Sequence, residues 1–369
     1  MLERINDVSL EKCIPLNATF ELTPRCNLHC NMCYIHRPEL MGSCVKLMPM
    51  SFWLDMAQQA KEAGTLVIVV TGGETFLYPQ AEELLEKLMG MGFIISLNTN
   101  GTLLDERRIA WLAEHRPAKI NISLYGASDE TYQRLCGISD GFTRVSRAID
   151  ALLERGINVY INGTLNPENV EDIPAMVDFC KQRGLVLHGT SYLFPAGRYG
   201  CHSVESRLSP KEAARAQLLL ERLQDGEETL LKNSVQRIQL VDATVRGKIP
   251  PRGGFHMGGG CSGSGCGGGR NAYAISHDGR MMMCVTNAGI AISLEGTTLQ
   301  DAWQKLGASV KALHLPQGCE KCPLQLLCNA CPAMLYNECG NFETPSDYTC
   351  RYMWENYRAR VELVKQMTE

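Results

Sequence analysis

The sequence predicts an α/β protein: a partial (β/α)6 TIM-type barrel followed by a C-terminal cysteine-rich region. Between residues 18 and 225, strand-like apolar runs alternate six times with segments of helical spacing. Such alternation is typical of a parallel sheet covered by outer helices. A complete eight-stranded barrel takes about 250 residues, so we expect an open barrel. Nine of the seventeen cysteines lie between residues 261 and 350, which sets that region apart.

The predicted strands are short runs that are nearly all apolar, as expected for parallel strands buried on both faces. They are ATFEL (18–22), LVIVV (66–70), FIISL (93–97), KINISL (119–124), INVYI (157–161) and LVLH (185–188).

Apolar residues at i, i+3, i+4 and i+7 predict helices between these strands. The clearest cases are 81–89, 145–153 and 173–180. The last of them places Cys180 in the core. Ser209, Pro210 and Glu212 have the order of an N-cap, an N1 proline and a capping-box glutamate, so another helix is predicted from residue 210.

The composition changes near residue 252, and ten glycines follow between residues 253 and 269. Glycine permits close approach of the backbone to a bound group. We therefore predict an N-terminal segment (1–17), the barrel (18–225), a linker (226–252), a cysteine-rich domain (253–350) and a C-terminal helix (351–369).

Bulk properties restrict the partners. The net charge of −4 gives no electrostatic reason to expect nucleic acid or an anionic membrane. The chain has no apolar run long enough for a membrane span and no secretory signal at its start. We therefore expect a cytoplasmic protein. In a reducing compartment seventeen cysteines indicate metal binding rather than disulfides.

Residues 26–34, CNLHCNMCY, place three cysteines close together: Cys26, Cys30 and Cys33. A structural zinc site needs four ligands, which His29 or His36 would have to complete. Unligated core thiols are a second interpretation. An iron–sulfur cluster held by three thiolates is a third, and it leaves one iron open to a small chelating molecule.

Polar motifs follow the first four predicted strands. CNLHCNMC follows the first, TGGE (71–74) the second and NTNG (98–101) the third, while Ser123 ends the fourth. The carboxyl ends of parallel strands lie at one edge of the sheet, where active sites form. We therefore expect these motifs to share one site.

CxxxCxxC after the first strand and Gly72, Gly73 and Glu74 after the second resemble the radical S-adenosylmethionine (SAM) superfamily. The resemblance covers residues 18 to about 200. It implies a [4Fe–4S] cluster on Cys26, Cys30 and Cys33 whose open iron chelates SAM. One electron would then cleave SAM to methionine and a 5′-deoxyadenosyl radical that abstracts hydrogen from a substrate. The electron would come from an external donor such as a flavodoxin or ferredoxin.

The resemblance also implies roles for other residues at this edge. The backbone of the GGE turn and Glu74 would hold the methionine ammonium, and Thr99 and Asn100 would reach the ribose or methionine. Ser123 with Arg134 would bind the SAM carboxylate, and the Leu193 backbone would bind adenine. The residue before the third cysteine is commonly aromatic in this family, but here it is Met32.

The C-terminal cysteines resemble the SPASM extension of radical SAM enzymes. Cys266 is followed by twelve residues and then by a Gx4C element formed by Gly279 and Cys284, and Cx2Cx5Cx2C follows at residues 319–331. The last gap departs from the usual x3. The resemblance implies two auxiliary [4Fe–4S] clusters, and hence three in all. One would use Cys261, Cys266, Cys284 and Cys331, and the other Cys319, Cys322, Cys328 and Cys350. Cys339 is left over or replaces Cys331 or Cys350. Zinc knuckles are the alternative.

SPASM enzymes mostly modify peptides or small proteins, by crosslinking, epimerisation or oxidation, so we expect such a substrate. The alternatives are a small metabolite or formylglycine formation as in sulfatase maturation. Val285 occupies the place of the usual acidic base and disfavours the latter. The first strand begins near residue 18, so we expect any leader peptide to need a separate binding protein. Cys201, and after it Cys44, are candidate hydrogen donors to a substrate radical.

Overall fold

The computed structural model describes residues 2–35, 47–202, 204–249, 267–328 and 331–368. Its nine strands in these ranges form one sheet in the order β6-β5-β4-β3-β2-β1-β7-β8-β9. The first six are β1 (Asn17–Glu21), β2 (Val67–Thr71), β3 (Ile94–Thr99), β4 (Lys119–Ser123), β5 (Val159–Thr164) and β6 (Leu187–Thr190). Each pairs in parallel with the next. The predicted partial parallel barrel is confirmed.

Helices lie between the strands and cover the sheet. They are α1 (Leu2–Lys12), α2 (Met50–Glu62), α3 (Ala81–Gly90), α4 (Glu106–His115), α5 (Asp129–Cys136), α6 (Gly141–Glu154), α7 (Ile173–Lys181) and α8 (Pro210–Asp225). In α8 the Ser209 side chain accepts from the Glu212 N–H and the Glu212 carboxylate from the Ser209 N–H, so the predicted capping box is present. Cys180 is buried in the core on α7, as predicted.

Three further strands extend the sheet beyond the barrel. They are β7 (Ala272–Ile275), β8 (Arg280–Cys284) and β9 (Asn287–Ser293). β7 lies parallel to β1, with Phe20 opposite Ile275, and the other two pair antiparallel. The first part of the predicted cysteine-rich domain therefore continues the barrel sheet and packs on the same core.

The remaining helices are α9 (Glu227–Val245), α10 (Leu299–Lys311), α11 (Gln317–Glu320), α12 (Pro332–Cys339) and α13 (Asp347–Thr368). The prediction of a linker at residues 226–252 is wrong for α9. Leu230 and Val241 are buried on this helix, and buried Arg360 of α13 donates to the Ser234 hydroxyl. Within the described ranges, none of the helices is both long enough and apolar enough to cross a membrane.

Candidate active site

A cavity of about 330 Å³ lies at the carboxyl ends of β1 to β6. The ends of the strands or the segments that follow them contribute to its lining, and all six strands are represented. Among the lining residues are Cys26, Cys30, Cys33, Gly72, Gly73, Thr99, Asn100, Ser123 and Leu193. The structure thus brings together at one edge most of the residues that the sequence predicts for the SAM site.

The cysteine segment after β1 forms one wall of this cavity. Cys26, Cys30 and Cys33 are half-buried. The Cys26 sulfur accepts hydrogen bonds from the Leu28 N–H at 3.4 Å and from Asn100 Nδ2 at 3.7 Å. Burial raises the pKa of the Cys26 thiol to about 12. Three thiols that face a single cavity fit a cluster with three protein ligands and one open iron.

A mononuclear metal site has different requirements. A zinc ion needs its ligands gathered around a single point. In the part of the chain that the structure describes, no three His, Cys, Asp or Glu side chains converge closely enough to hold one ion.

The glycines of the GGE turn allow its backbone to lie directly against the chain before Cys26. A Cβ at Gly72 would stand 2.6 Å from the Thr23 carbonyl oxygen, and one at Gly73 would stand 2.5 Å from that of Arg25. This close approach allows the Gly73 N–H to donate to the Thr23 carbonyl and the Glu74 N–H to donate to the Arg25 carbonyl. The turn therefore anchors the start of the cysteine segment.

Glu74 lies beneath the cavity and is not among its lining residues. Its buried carboxylate accepts from the Thr99 hydroxyl at 2.9 and 3.0 Å, from the Asn100 N–H at 2.8 Å and from the Phe76 N–H at 3.1 Å. Burial raises the pKa of Glu74, while these hydrogen bonds oppose the rise. The carboxylate thus joins the second strand end to the third.

Asn100 has a comparable structural role, although it also lines the cavity. Its amide donates to Cys26 and to Asn27 Oδ1 at 3.0 Å, and its own oxygen accepts from the Thr102 N–H and hydroxyl. Thr99 and Asn100 were predicted to reach SAM. Both line the cavity, so that role stays a prediction. In the structure the Thr99 hydroxyl bonds to Glu74, and the Asn100 amide holds the cysteine segment against the end of β3.

A row of polar side chains that were not predicted as site residues lines the inner wall of the cavity. It consists of Asn98 on β3, Asn121 on β4, Asn162 and Thr164 on β5, and Thr190 on β6. The Asn121 amide donates to Asn98 Oδ1 at 2.7 Å and to the Ser96 hydroxyl at 2.9 Å. The signal in the sequence was the alternation of polar residues, two apart, at the ends of apolar strands.

Two predicted residues lie away from the cavity lining. Arg134 is about half exposed on α5, where its Nε lies 3.5 Å from Glu168, and it does not converge with Ser123. The spacing within a helix did not indicate which way this side chain would turn. Cys201 follows a short turn after β6, and its N–H donates to the Ala196 carbonyl.

Five of the seven C-terminal cysteines that the structure describes fall into two places, while Cys331 is the N-cap of α12 and Cys328 precedes it in the chain. Cys319, Cys322 and Cys350 lie close together. Burial is the main cause that raises the pKa values of Cys319 and Cys350, and the charges of the neighbouring cysteines raise them further. Cys339 also lies near Cys350. Cys284 lies at the end of β8, on the same side as Tyr34 and Cys33 of the cavity. Cys261 and Cys266, like Cys44, lie outside the described residues.

A buried ion cluster lies beside the first cysteine segment. Glu21, the last residue of β1, accepts from Arg198 Nη1 at 2.6 Å and approaches His277 Nδ1 at 2.7 Å. Burial would raise the pKa of Glu21, but His277 and Arg198 outweigh it and the net pKa is lowered. This cluster connects β1, the segment after β6 and the β7–β8 turn.

The chain was compared with known families and proteins. The Radical SAM superfamily model matches residues 20–180. The antilisterial bacteriocin subtilosin biosynthesis protein AlbA of Bacillus subtilis (strain 168) is 29% identical over 187 residues, or 50% of this chain and 41% of AlbA. This chain therefore spans less than half of AlbA. The AdoMet-dependent heme synthase of Methanosarcina barkeri (strain Fusaro / DSM 804) is 24% identical over 353 residues, or 92% of this chain and 97% of the synthase.

Solved structures share the fold. Streptococcus suis SuiB bound to S-adenosylmethionine superposes with a TM-score of 0.66 and 19% identity, covering 94% of this chain and 80% of SuiB. The matched residues 20–180 contain the cysteine segment, the GGE turn and the ends of β1 to β5 at the cavity. Over these residues the chain therefore matches the Radical SAM superfamily.

Proposed function

We propose that this enzyme is a maturase that abstracts hydrogen from a peptide or small-protein substrate. Its SAM cluster would be held by Cys26, Cys30 and Cys33, and two auxiliary clusters by the C-terminal cysteines. The main support is the cavity in which the three thiols that follow β1 face polar groups at the ends of β2 to β6. The cluster, when bound, supplies the electron that cleaves SAM to methionine and a 5′-deoxyadenosyl radical.

The chain's own residues would bind and orient the ligand. A cavity of about 330 Å³ has room for roughly one ligand of the size of a cofactor or drug. Carbonyl groups near the GGE turn supply acceptors for an ammonium, and the asparagine row supplies amides for hydroxyl groups. Leu193 and Phe194 form the wall after β6 and could contact adenine.

A peptide substrate is supported by two relatives. AlbA is named for bacteriocin biosynthesis, and SuiB has been solved with its precursor peptide SuiA, at a TM-score of 0.64 and 18% identity. The alternative is a small metabolite of the porphyrin class. It is supported by the heme synthase, which matches over 97% of its own length.

The first experiment tests the radical chemistry. Anaerobically reconstituted protein should hold about twelve irons, as three four-iron clusters require, and should form 5′-deoxyadenosine from SAM and dithionite. Protein with fewer than about eight irons that leaves SAM intact would refute the proposal. Cys30→Ala should abolish SAM cleavage, whereas Cys322→Ala should reduce product formation more than SAM cleavage. Equal losses of SAM cleavage in the two variants would contradict the separate roles of the clusters.

The second experiment separates the substrate classes. Candidate precursor peptides encoded beside the gene and a porphyrin should be incubated separately with reduced enzyme and SAM. A mass change in the peptide, with 5′-deoxyadenosine formed in step, supports the maturase. Turnover that only the porphyrin stimulates supports the alternative. The external electron donor, a separate leader-binding protein and a cytoplasmic location remain predictions.

A further inference from the structure

The turn that follows β6 carries an arginine with unpaired hydrogen-bond donors. Arg198 belongs to the short helical turn Gly197–Tyr199, and its side chain is only 2% exposed. Its Nη1 donates to the Glu21 carboxylate at 2.6 Å. Its Nε and Nη2 are buried and have no hydrogen-bond partner among the residues that the structure describes. Buried polar atoms without a partner are rare in native proteins and call for an explanation.

The two unpaired atoms lie on the same edge of the guanidinium. Because the group is planar, Nε–H and Nη2–H point in the same direction and together match the two oxygens of a carboxylate. The chain contains an example, since Arg183 uses this edge to hold both oxygens of Asp150, at 2.6 and 3.0 Å. The same edge of Arg198, here called the Arg198 fork, is bonded to no such group within the described ranges.

A second buried side chain beside this turn also has unpaired polar atoms. Asn337 on α12 is fully buried, and neither its Oδ1 nor its Nδ2 has a hydrogen-bond partner among the described residues. It packs against the residue before Arg198, since a Cβ at Gly197 would stand 2.6 Å from Asn337 Oδ1. Of the six buried side-chain polar atoms that lack a partner in that part of the chain, four belong to Arg198 and Asn337. Their concentration at one turn favours a binding role over chance.

This turn stands at the edge of the cavity at the strand ends. The hydroxyl of Tyr199, next to Arg198, donates at 2.8 Å to the carbonyl of Ile35, which lines the cavity. The partner of Arg198, Glu21, lies opposite Thr71 in the parallel sheet, and Thr71 also lines the cavity. Arg198 thus bonds the segment after β6 to the end of β1, beside the place where a substrate would meet the radical.

The charges at this turn suit an added carboxylate. Glu21 is contacted by His277 Nδ1 at 2.7 Å as well as by Arg198, so the guanidinium is not the sole counter-charge of Glu21. A single carbonyl oxygen would use only one of the two donors of the fork, whereas a carboxylate uses both. Because the fork is shielded from water, its electrostatic attraction for an anion is stronger than that of a surface arginine.

We propose that the Arg198 fork binds a carboxylate group of the substrate and thereby orients the substrate at the cavity. The inference rests on the proposed function, because it names the chemical group by which that substrate is held. A peptide would supply an acidic side chain or its C-terminus, and a porphyrin would supply a carboxylate of its side chains. The bound group is the same in both classes.

The fork can be tested with propionate, a small carboxylate, and with propionamide as its neutral analogue. In holoenzyme at constant ionic strength, calorimetry should detect saturable binding of propionate that is about tenfold or more tighter than binding of propionamide. A crystal structure with propionate should place its oxygens about 2.7–2.9 Å from Nε and Nη2 of Arg198.

Variants connect this binding to the fork. Arg198→Lys retains the positive charge next to Glu21 but lacks the two-donor edge, so propionate affinity should fall about tenfold or more. The matched control is Arg183→Lys, which removes a fork that Asp150 already occupies. This control should bind propionate like wild type.

Three results would overturn the inference: equal affinities of wild type for propionate and propionamide, electron density for water alone at the fork, or displacement of propionate by SAM. The last result would assign the fork to the SAM site. None of these measurements depends on turnover. Propionate binding by an enzyme that forms no 5′-deoxyadenosine would support the fork and refute the proposed function, whereas turnover without carboxylate binding would refute only this inference.

Esterified probes identify the source of the carboxylate. A candidate precursor peptide and coproporphyrin III should each be compared with their methyl esters, in wild type and in Arg198→Lys. For the true source, esterification should weaken binding to wild type about tenfold or more and should scarcely change binding to Arg198→Lys, because the partner of the carboxylate is gone. Equal effects of esterification in the two proteins, for both probes, would show that the carboxylates bind elsewhere.

Discussion

At the scale of single residues, the site depends on groups that position the cysteines rather than on groups that face the ligand. Gly73 lets two backbones touch, Glu74 bonds to three groups around it, and the Asn100 amide reaches the Cys26 sulfur. Each of these contacts is buried or partly buried. The geometry of the cysteine segment should therefore be sensitive to small substitutions here.

Gly73→Ala should destabilise the protein and reduce iron loading. The new Cβ would stand 2.5 and 2.6 Å from the carbonyl oxygens of Arg25 and Pro24. Because both neighbours are backbone, relief requires the chain to move, at a cost of about 2–3 kcal/mol. Urea denaturation and iron analysis measure the effect. Gly90→Ala is the matched control, because its Cβ meets nothing within 4 Å at the end of α3 and the change should be neutral or slightly stabilising.

Glu74→Ala should lower the free energy of unfolding by about 2 kcal/mol or more. The buried N–H groups of Phe76 and Asn100 lose their acceptor, and each unsatisfied buried donor costs about 1–3 kcal/mol. SAM-cluster loading should fall with it, as measured by iron content and SAM cleavage. Glu86→Ala, on the exposed face of α3, should behave like wild type. A fully stable and fully loaded Glu74→Ala would show that the carboxylate does not anchor the segment.

At the scale of elements, β1 joins the six-stranded barrel to the sheet extension formed by β7, β8 and β9. It pairs with β2 on one side and with β7 on the other. Its last residue, Glu21, bonds to Arg198 and contacts His277, which come from the two sides. Arg198 is itself buried, and its Nε and Nη2 atoms have no hydrogen-bond partner within the described ranges.

Arg198→Met should destabilise the protein by about 3 kcal/mol, because removal of one partner leaves the buried Glu21 charge uncompensated. The double variant Glu21→Leu/Arg198→Met should recover much of this loss, since an apolar pair of similar volume replaces the ions. Chemical denaturation of wild type, Glu21→Leu, Arg198→Met and the double variant completes the double-mutant cycle. Arg107→Met, whose partner Glu82 lies at the surface, should change stability little. A double variant less stable than the single one would contradict this interpretation.

The same ion pair predicts a dependence on pH. The folded-state pKa of Glu21 is lowered from its ordinary value of 4.5. Its contribution is therefore complete above that value and is lost as the pH falls through the folded-state pKa. The stability difference between wild type and Arg198→Met should accordingly narrow below about pH 4.5. A difference that stays constant under acid would exclude Glu21 as its source.

At the scale of the whole molecule, Tyr192 joins the cavity at the strand ends to the C-terminal helices. Its ring lines the cavity, and its hydroxyl lies 2.6 Å from Glu338 on α12 and 2.6 Å from Thr349 on α13. Arg207 bonds to the same Glu338 and to the Leu193 carbonyl. These helices also carry Cys339 and Cys350, so the cavity wall and the cysteine-rich region form one connected structure.

Tyr192→Phe should lower the free energy of unfolding by about 1–3 kcal/mol, because buried Glu338 and Thr349 lose a hydrogen-bond partner. SAM affinity should also fall, because the wall after β6 loses its support from behind. Denaturation and calorimetric SAM titration measure the two effects. Tyr160→Phe, on the partly exposed face of β5, should stay within about 0.5 kcal/mol of wild type. An unchanged SAM affinity in a destabilised Tyr192→Phe would limit the role of Tyr192 to folding.

Much of the fold could be predicted from the sequence, and strand limits differed from the structure by only one to three residues at most ends. Apolar runs and helical spacing are local properties, so they appear directly in the residue order. The segment at 227–245 was misread because its apolar stripe is weak and becomes a buried face only against α8 and α13.

The sequence alone determined that three thiols, two glycines and several polar strand ends would meet at one edge, because parallel strands place their carboxyl ends together. The tertiary structure alone decided which side chains face the ligand. Glu74 turned inward to Thr99, and Arg134 turned away to Glu168. It also placed the end of α5 against the cysteine segment, and β7 beside β1, across long stretches of chain. Such contacts depend on how the elements pack, and no local pattern of residues specifies them.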